Sequence, residues 1–189
     1  MIGGFYFKKK NYVKKVCICA VLAALFVALE MLSSTLGKIA FLDNYQIPIS
    51  CFPLVLASVM FGFGWGTLTA VVGSFISQLG FGLGWGTLIW MTPTILYTMA
   101  VALLYKAFRE SEKTYILSIQ FFISSILLSI LNTVAMYFNN YIYGIPYDLL
   151  NKIFAVVVSL KLIGAIIFAV IFAFIIPPIV KKLKKLIKC

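Results

Sequence analysis

The sequence contains no histidine and only 5 acidic residues. Without imidazole, His-based triads, H-E-x-x-H zinc sites and imidazole proton relays are all excluded. No G-x-x-x-x-G-K-[ST] stretch occurs, so the chain has no P-loop to cradle a nucleotide phosphate. Charge of either sign is sparse: 11% of residues are charged, against about 25% in a soluble domain. Cysteine is sparse too. Cys17 and Cys19 share one apolar run, Cys51 lies in another, and Cys189 is the last residue. Neither a disulfide framework nor a prenylation box is expected from that pattern. No cofactor and no metal site is read from these residues.

What fills the chain is apolar. Of its 189 residues, 63% are hydrophobic, where a soluble domain carries about 45–50%. The mean hydropathy is +1.08. The apolar residues form continuous blocks rather than the alternating strands of a membrane barrel. The expected fold is an all-α integral membrane protein with six transmembrane helices. The segments run at about 16–36, 49–63, 65–81, 85–108, 115–138 and 154–180. The first lacks a clean cleavage motif and is long for a signal peptide, so it reads as a mature helix. The whole forms a single six-helix membrane domain, with a basic N-terminus at 1–15, a membrane core at 16–180 and a basic tail at 181–189.

The charge balance sets orientation. Lys+Arg number 16 and the net charge is +11. Five lysines precede the first apolar run and five follow the last. With both termini cytoplasmic, Lys106, Arg109 and Lys113 join them, and 13 of the 16 basic residues lie on the inner side. That is the asymmetry of the positive-inside rule. Lipid, not nucleic acid, is the expected environment, and the expected location is the cell membrane as a multi-pass protein.

One internal repeat stands out. The residues Phe-Gly-Phe-Gly-Trp-Gly-Thr-Leu at 61–68 recur at 81–88 with one change. A spacing of 20 residues is about one membrane crossing, so each copy is expected to reverse the chain, on opposite faces, with glycine permitting the turn. Trp65 and Trp85 would anchor the two interfaces.

Other features carry a choice of readings. Ala20, Ala24 and Ala28 form a small-residue stripe on the first helix, widened by Ala23. Such a stripe packs either against a helix of the same chain or against a separate membrane subunit. Glu30 and Lys161 are charges within spans, each about 10 Å below the outer surface, and they either pair with each other or face a ligand. Polar and aromatic residues gather at the outer side: Ser74, Ser77, Gln78, Trp85, Thr87, Trp90, Asn132, Tyr137 and Asn151. Singly these are interface or capping residues. Together they describe an outward-facing pocket that stacks a flat ring and hydrogen-bonds its edge. Pro93 and Pro146 would help shape it. A small channel or membrane scaffold subunit is the alternative, but a pore needs polar residues through its full depth, and here they stop halfway. An enzyme is disfavoured by the lack of histidine and of paired acids within a span.

The chain resembles the substrate-binding S component of energy-coupling factor (ECF) vitamin transporters. The resemblance rests on the size, the six spans, the basic ends, the Ala20/Ala24/Ala28 stripe, the Ile47–Gly62 stretch and Trp65–Gly73. It implies a high-affinity vitamin-binding subunit that docks through its first helix onto a membrane T component, itself coupled to two cytoplasmic ATPase subunits. ATP hydrolysis then belongs to the partners, in keeping with the missing P-loop. Within the family the chain looks most like the branch for folate, with pantothenate, riboflavin, pyridoxine and thiamine precursors as alternatives. The implied ligand residues are Glu30, Lys38, Gln78, Trp85, Thr87, Trp90, Asn132, Tyr137, Asn151 and Lys161. Glu30 would meet the pterin N–H edge, the tryptophans its face, and Lys161 or Lys38 the glutamate tail.

Overall fold

The computed structural model describes residues 3–39, 48–80, 82, 84–108 and 113–144 and most of 163–183, with side chains except at 3–11, 36–39, 48–49 and 85. Among these residues every regular element is helical: α1 (Gly3–Ile39), a 3₁₀ turn (Pro48–Cys51), α2 (Phe52–Leu79), α3 (Trp85–Ala107) and α4 (Thr114–Ile142). Helical residues also recur between 163 and 183. Among the described residues four helical stretches are long and apolar enough, by length and composition, to cross a membrane: Tyr12–Thr35, Gly86–Ala107, Thr114–Ile142 and, taken across its break at Gly62, Phe52–Leu79. Between 28% and 44% of each such window is buried within the chain. Most of each helix therefore faces outward, and the residues it presents are apolar, such as Val21, Leu68, Leu88 and Ile130. Lipid is the solvent that suits such a surface.

α1 is longer than its apolar core, because the basic segment at its start continues the helix. α4 likewise runs on through Asn139, Asn140 and Tyr141, residues the sequence places at or beyond the helix end. The two segments expected at 49–63 and 65–81 are both found within α2, divided at Gly62 by φ 82° and ψ −173°. Residues 58 and 66 of an unbroken helix would be about 12 Å apart along the axis. Here a Cβ on Gly66 would lie 2.7 Å from Ser58 Cα. The chain thus folds back at Gly62, and α2 is a hairpin of a short arm (52–61) and a long arm (63–79). Gly82, the counterpart of Gly62 in the repeat, also has positive φ, 95°, in the turn between α2 and α3.

Small residues fix how the pieces pack. Tyr12 meets Trp65 edge-to-face, with ring centroids 5.2 Å apart. A Cβ on Gly73 would come within 3.7 Å of Ala23 Cα, and one on Gly80 within 3.1 Å of Met31 Cε. These three contacts ascend together, so α1 and the long arm of α2 run parallel and close. The short arm reaches α3 through Ser58 Oγ, which donates to the Thr98 carbonyl at 3.3 Å. Gly86 at the start of α3 adjoins Asn139 and Tyr143 at the end of α4, so these two are antiparallel. The C-terminal residues descend along α4. Ser118 Oγ donates to the Ala173 carbonyl at 2.6 Å, and Lys181 Nζ to Thr114 Oγ1 at 2.7 Å.

The core joins Leu22, Phe26, Leu54, Val55, Tyr97, Phe121, Leu128, Ile176 and Val180. It also holds more polarity than the sequence suggests for the inner half. Thr98, Gln120, Ser124 and Ser125 are buried, and most cover their hydroxyls by donating to a carbonyl of their own helix. Gln120 is the exception: neither end of its amide has a partner among the described residues. Cys17, Cys19 and Cys51 are free thiols.

Candidate functional site

Three helices meet around one cleft. α1 contributes Phe26 and Glu30, the long arm of α2 contributes Ser74, Ser77 and Gln78, and α3 contributes Trp90 and Thr94. Each set is spaced three or four residues apart, so each helix turns a single face to the cleft. The close approach at Ala23–Gly73 brings α1 and α2 together just below the cleft. Pro93, fully buried beside Trp90 and Thr94, cannot donate to the Ile89 carbonyl, which loosens α3 at this level.

The chemistry of the walls is mixed. Phe26 and the Trp90 indole offer apolar faces for a planar ring. Glu30 is an acceptor-only carboxylate when ionised, and Ser50, on the 3₁₀ turn before α2, hydrogen-bonds it from the protein side. Ser74 and Ser77 are buried at 3% and 1% exposure, and neither hydroxyl has a partner among the described residues. Gln78 adds a carboxamide with both donor and acceptor. Among the described residues no group of three or more His, Cys, Asp or Glu could hold a metal ion.

Of the residues singled out in the sequence, Glu30, Ser74, Ser77, Gln78 and Trp90 line this cleft. Thr87 does not. Its hydroxyl accepts from the Gly84 N–H at 3.0 Å and donates to the Gly82 carbonyl at 3.3 Å, so it caps α3 and closes the outer turn. Asn132 and Tyr137 lie on α4 and are absent from the cleft wall. Trp85 is the first residue of α3, and Lys38 belongs to the last turn of α1. The side chains of both, and Asn151 and Lys161 entirely, lie outside the described residues. Phe26, Ser50 and Thr94 join the site unannounced. Their signal was helical spacing: Phe26 is one turn from Glu30, and Thr94 one turn from Trp90. Ala20, Ala24 and Ala28 all face outward on α1, whereas Ala23 is buried against α2.

The family model of the ECF transporter, substrate-specific component, matches residues 14–180. No curated protein and no solved structure matches the chain. Members of that family are substrate-binding membrane subunits that work with a T component and ATPases, and the ATPase activity resides in those partners. A helical membrane chain with a polar cleft and no P-loop fits that division of labour. With nearly its whole length matched, this chain belongs to the family of ECF transporter substrate-specific components.

Proposed function

We propose that the chain is the vitamin-binding subunit of an ECF uptake transporter and that its substrate is folate. The observation that carries this reading is the juxtaposition of the Glu30 carboxylate with the Trp90 indole in one cleft. A pterin is flat and presents adjacent N–H donors on its edge, which suit a carboxylate acceptor. The pterin is the part of the vitamin proposed to enter the cleft. The aminobenzoyl-glutamate tail would then extend outward, with Lys38 and Lys161 as candidate positive charges for its carboxylates.

The same reading assigns a six-pass topology with both termini cytoplasmic. The fold-back at Gly62 and the antiparallel pairing of the 173–181 stretch with α4 support it, as does the distribution of lysine. The outward-facing Ala20/Ala24/Ala28 stripe is the proposed surface for the T component, since small side chains let a partner helix approach closely in lipid.

The test is direct. The chain is purified in mild detergent, denatured, and the released small molecules are identified by mass spectrometry. Folate or a reduced folate is expected. Recovery of riboflavin, pantothenate, pyridoxine or a thiamine precursor instead would keep the subunit's role and replace its substrate.

A further inference from the structure

Hydroxyls within membrane helices usually satisfy themselves by donating to the carbonyl one turn back. This chain follows that habit closely. Thr67, Thr69, Thr92, Thr98, Ser124, Ser125 and Thr133 each donate to the carbonyl four residues earlier, at 2.6–2.8 Å. Two of these, Thr67 and Thr69, lie on the long arm of α2. Ser74 and Ser77, on the same arm, do not follow it. Both are almost completely buried, both line the cleft, and neither hydroxyl has a partner among the described residues.

An unpaired buried hydroxyl is destabilising, and a local remedy was available to each serine. Two such residues, one turn apart on the wall that lines the cleft with Glu30, are placed to be satisfied by a ligand that parts the wall as it enters. We propose that Ser74 and Ser77 are ligand-contacting residues that determine specificity by reading the edge of the bound ring. A hydroxyl donates and accepts, whereas Glu30, when ionised, only accepts. The wall therefore fits a planar nitrogen heterocycle with N–H donors toward Glu30 and acceptors, a ring nitrogen or carbonyl oxygen, toward the serines. A 2-amino-4-oxopyrimidine edge has that alternation. A hydrocarbon or a simple carboxylate does not. This inference rests on the folate reading above and adds the groups that discriminate within it.

The experiment titrates the purified full-length chain with folic acid, following tryptophan fluorescence, for the wild type and for Ser74→Ala, Ser77→Ala and the double variant. Thermal unfolding of each empty protein is measured alongside. Each single change should weaken binding by about two- to tenfold, the range for loss of one neutral hydrogen bond. Unfolding temperatures of the empty proteins should stay level or rise, because the lost hydroxyl had no partner. Pteroic acid, which lacks the glutamate, should show the same serine dependence, because the contact is to the ring. Equal folic acid affinity in all four proteins would overturn the inference and leave the folate reading intact. So would a serine effect that vanishes with pteroic acid, or empty variants that unfold at lower temperature. A wild type that binds no folic acid overturns the folate reading, and the inference with it.

Discussion

Gly62 and Gly82 occupy the same position in two copies of one eight-residue sequence, and both hold left-handed backbone, with φ of 82° and 95°. One turn sits within the α2 hairpin and the other between α2 and α3. The repeat is thus a reusable device for reversing a helix inside a membrane fold. A side chain at either position has open space around it, so the cost of substitution is conformational alone, about 1–2 kcal/mol per residue forced into this region. Gly62→Ala and Gly82→Ala should each lower the unfolding temperature. Gly64→Ala, with open space and no positive φ, should be nearly neutral, and a differential melt of the three variants checks this.

Gly66 fails for a different reason. Its Cβ would collide with Ser58 backbone at 2.7 Å, and the backbone of the short arm cannot retreat without disturbing Ser58's bond to the Thr98 carbonyl. Gly66→Ala should destabilise by about 1–3 kcal/mol, the cost of overpacking. Shortening the opposing side chain in Ser58→Ala should recover little, because the clash includes Cα. A tolerated Gly66→Ala would mean that the hairpin is open.

Gln120 offers the opposite case. Its amide is buried and unpartnered among the described residues, so replacing it with an apolar chain of similar length removes a desolvation cost. Gln120→Met should leave stability level or raise it by about 1–3 kcal/mol. A lower unfolding temperature would show that the amide is satisfied in the folded protein.

Docking is tested on α1. Ala24 faces outward while Ala23 packs against α2. Ala24→Leu should leave folic acid binding by the isolated chain unchanged while reducing transport by the full complex, since a bulky side chain blocks close helix approach. Ala23→Leu should damage the isolated chain itself, because there is no room beside Gly73. Loss of ligand binding in the Ala24 variant would place the stripe inside this chain.

The broad architecture was legible because lipid imposes long apolar runs, and the turns because glycine marks positive φ. The lengths of α1 and α4 were not, since lysines at one end and asparagines at the other read as boundaries while the backbone simply continues past them. Glu30, Ser74, Ser77, Gln78 and Trp90 could be grouped from the sequence because a charge or a polar side chain in an apolar helix demands a reason, and all five line the cleft. Thr87 sits beside a glycine turn, where a threonine reads equally as a cap or a ligand group until its hydrogen bonds are seen. Asn132 and Tyr137 lie on α4, whose sequence does not disclose which face meets the cleft. That the Ser74 and Ser77 hydroxyls are left without a partner among the described residues needed coordinates.

The central claim is that the cleft bounded by Glu30 and Trp90 binds the vitamin. Its most direct test is the affinity of the purified chain for folic acid before and after Glu30→Gln, which keeps shape and removes charge. A hydrogen bond to a charged group contributes about 1.5–3 kcal/mol, so the dissociation constant should rise by about tenfold to a hundredfold. An unchanged dissociation constant in a folded Glu30→Gln protein would contradict the account and move the binding site away from this cleft.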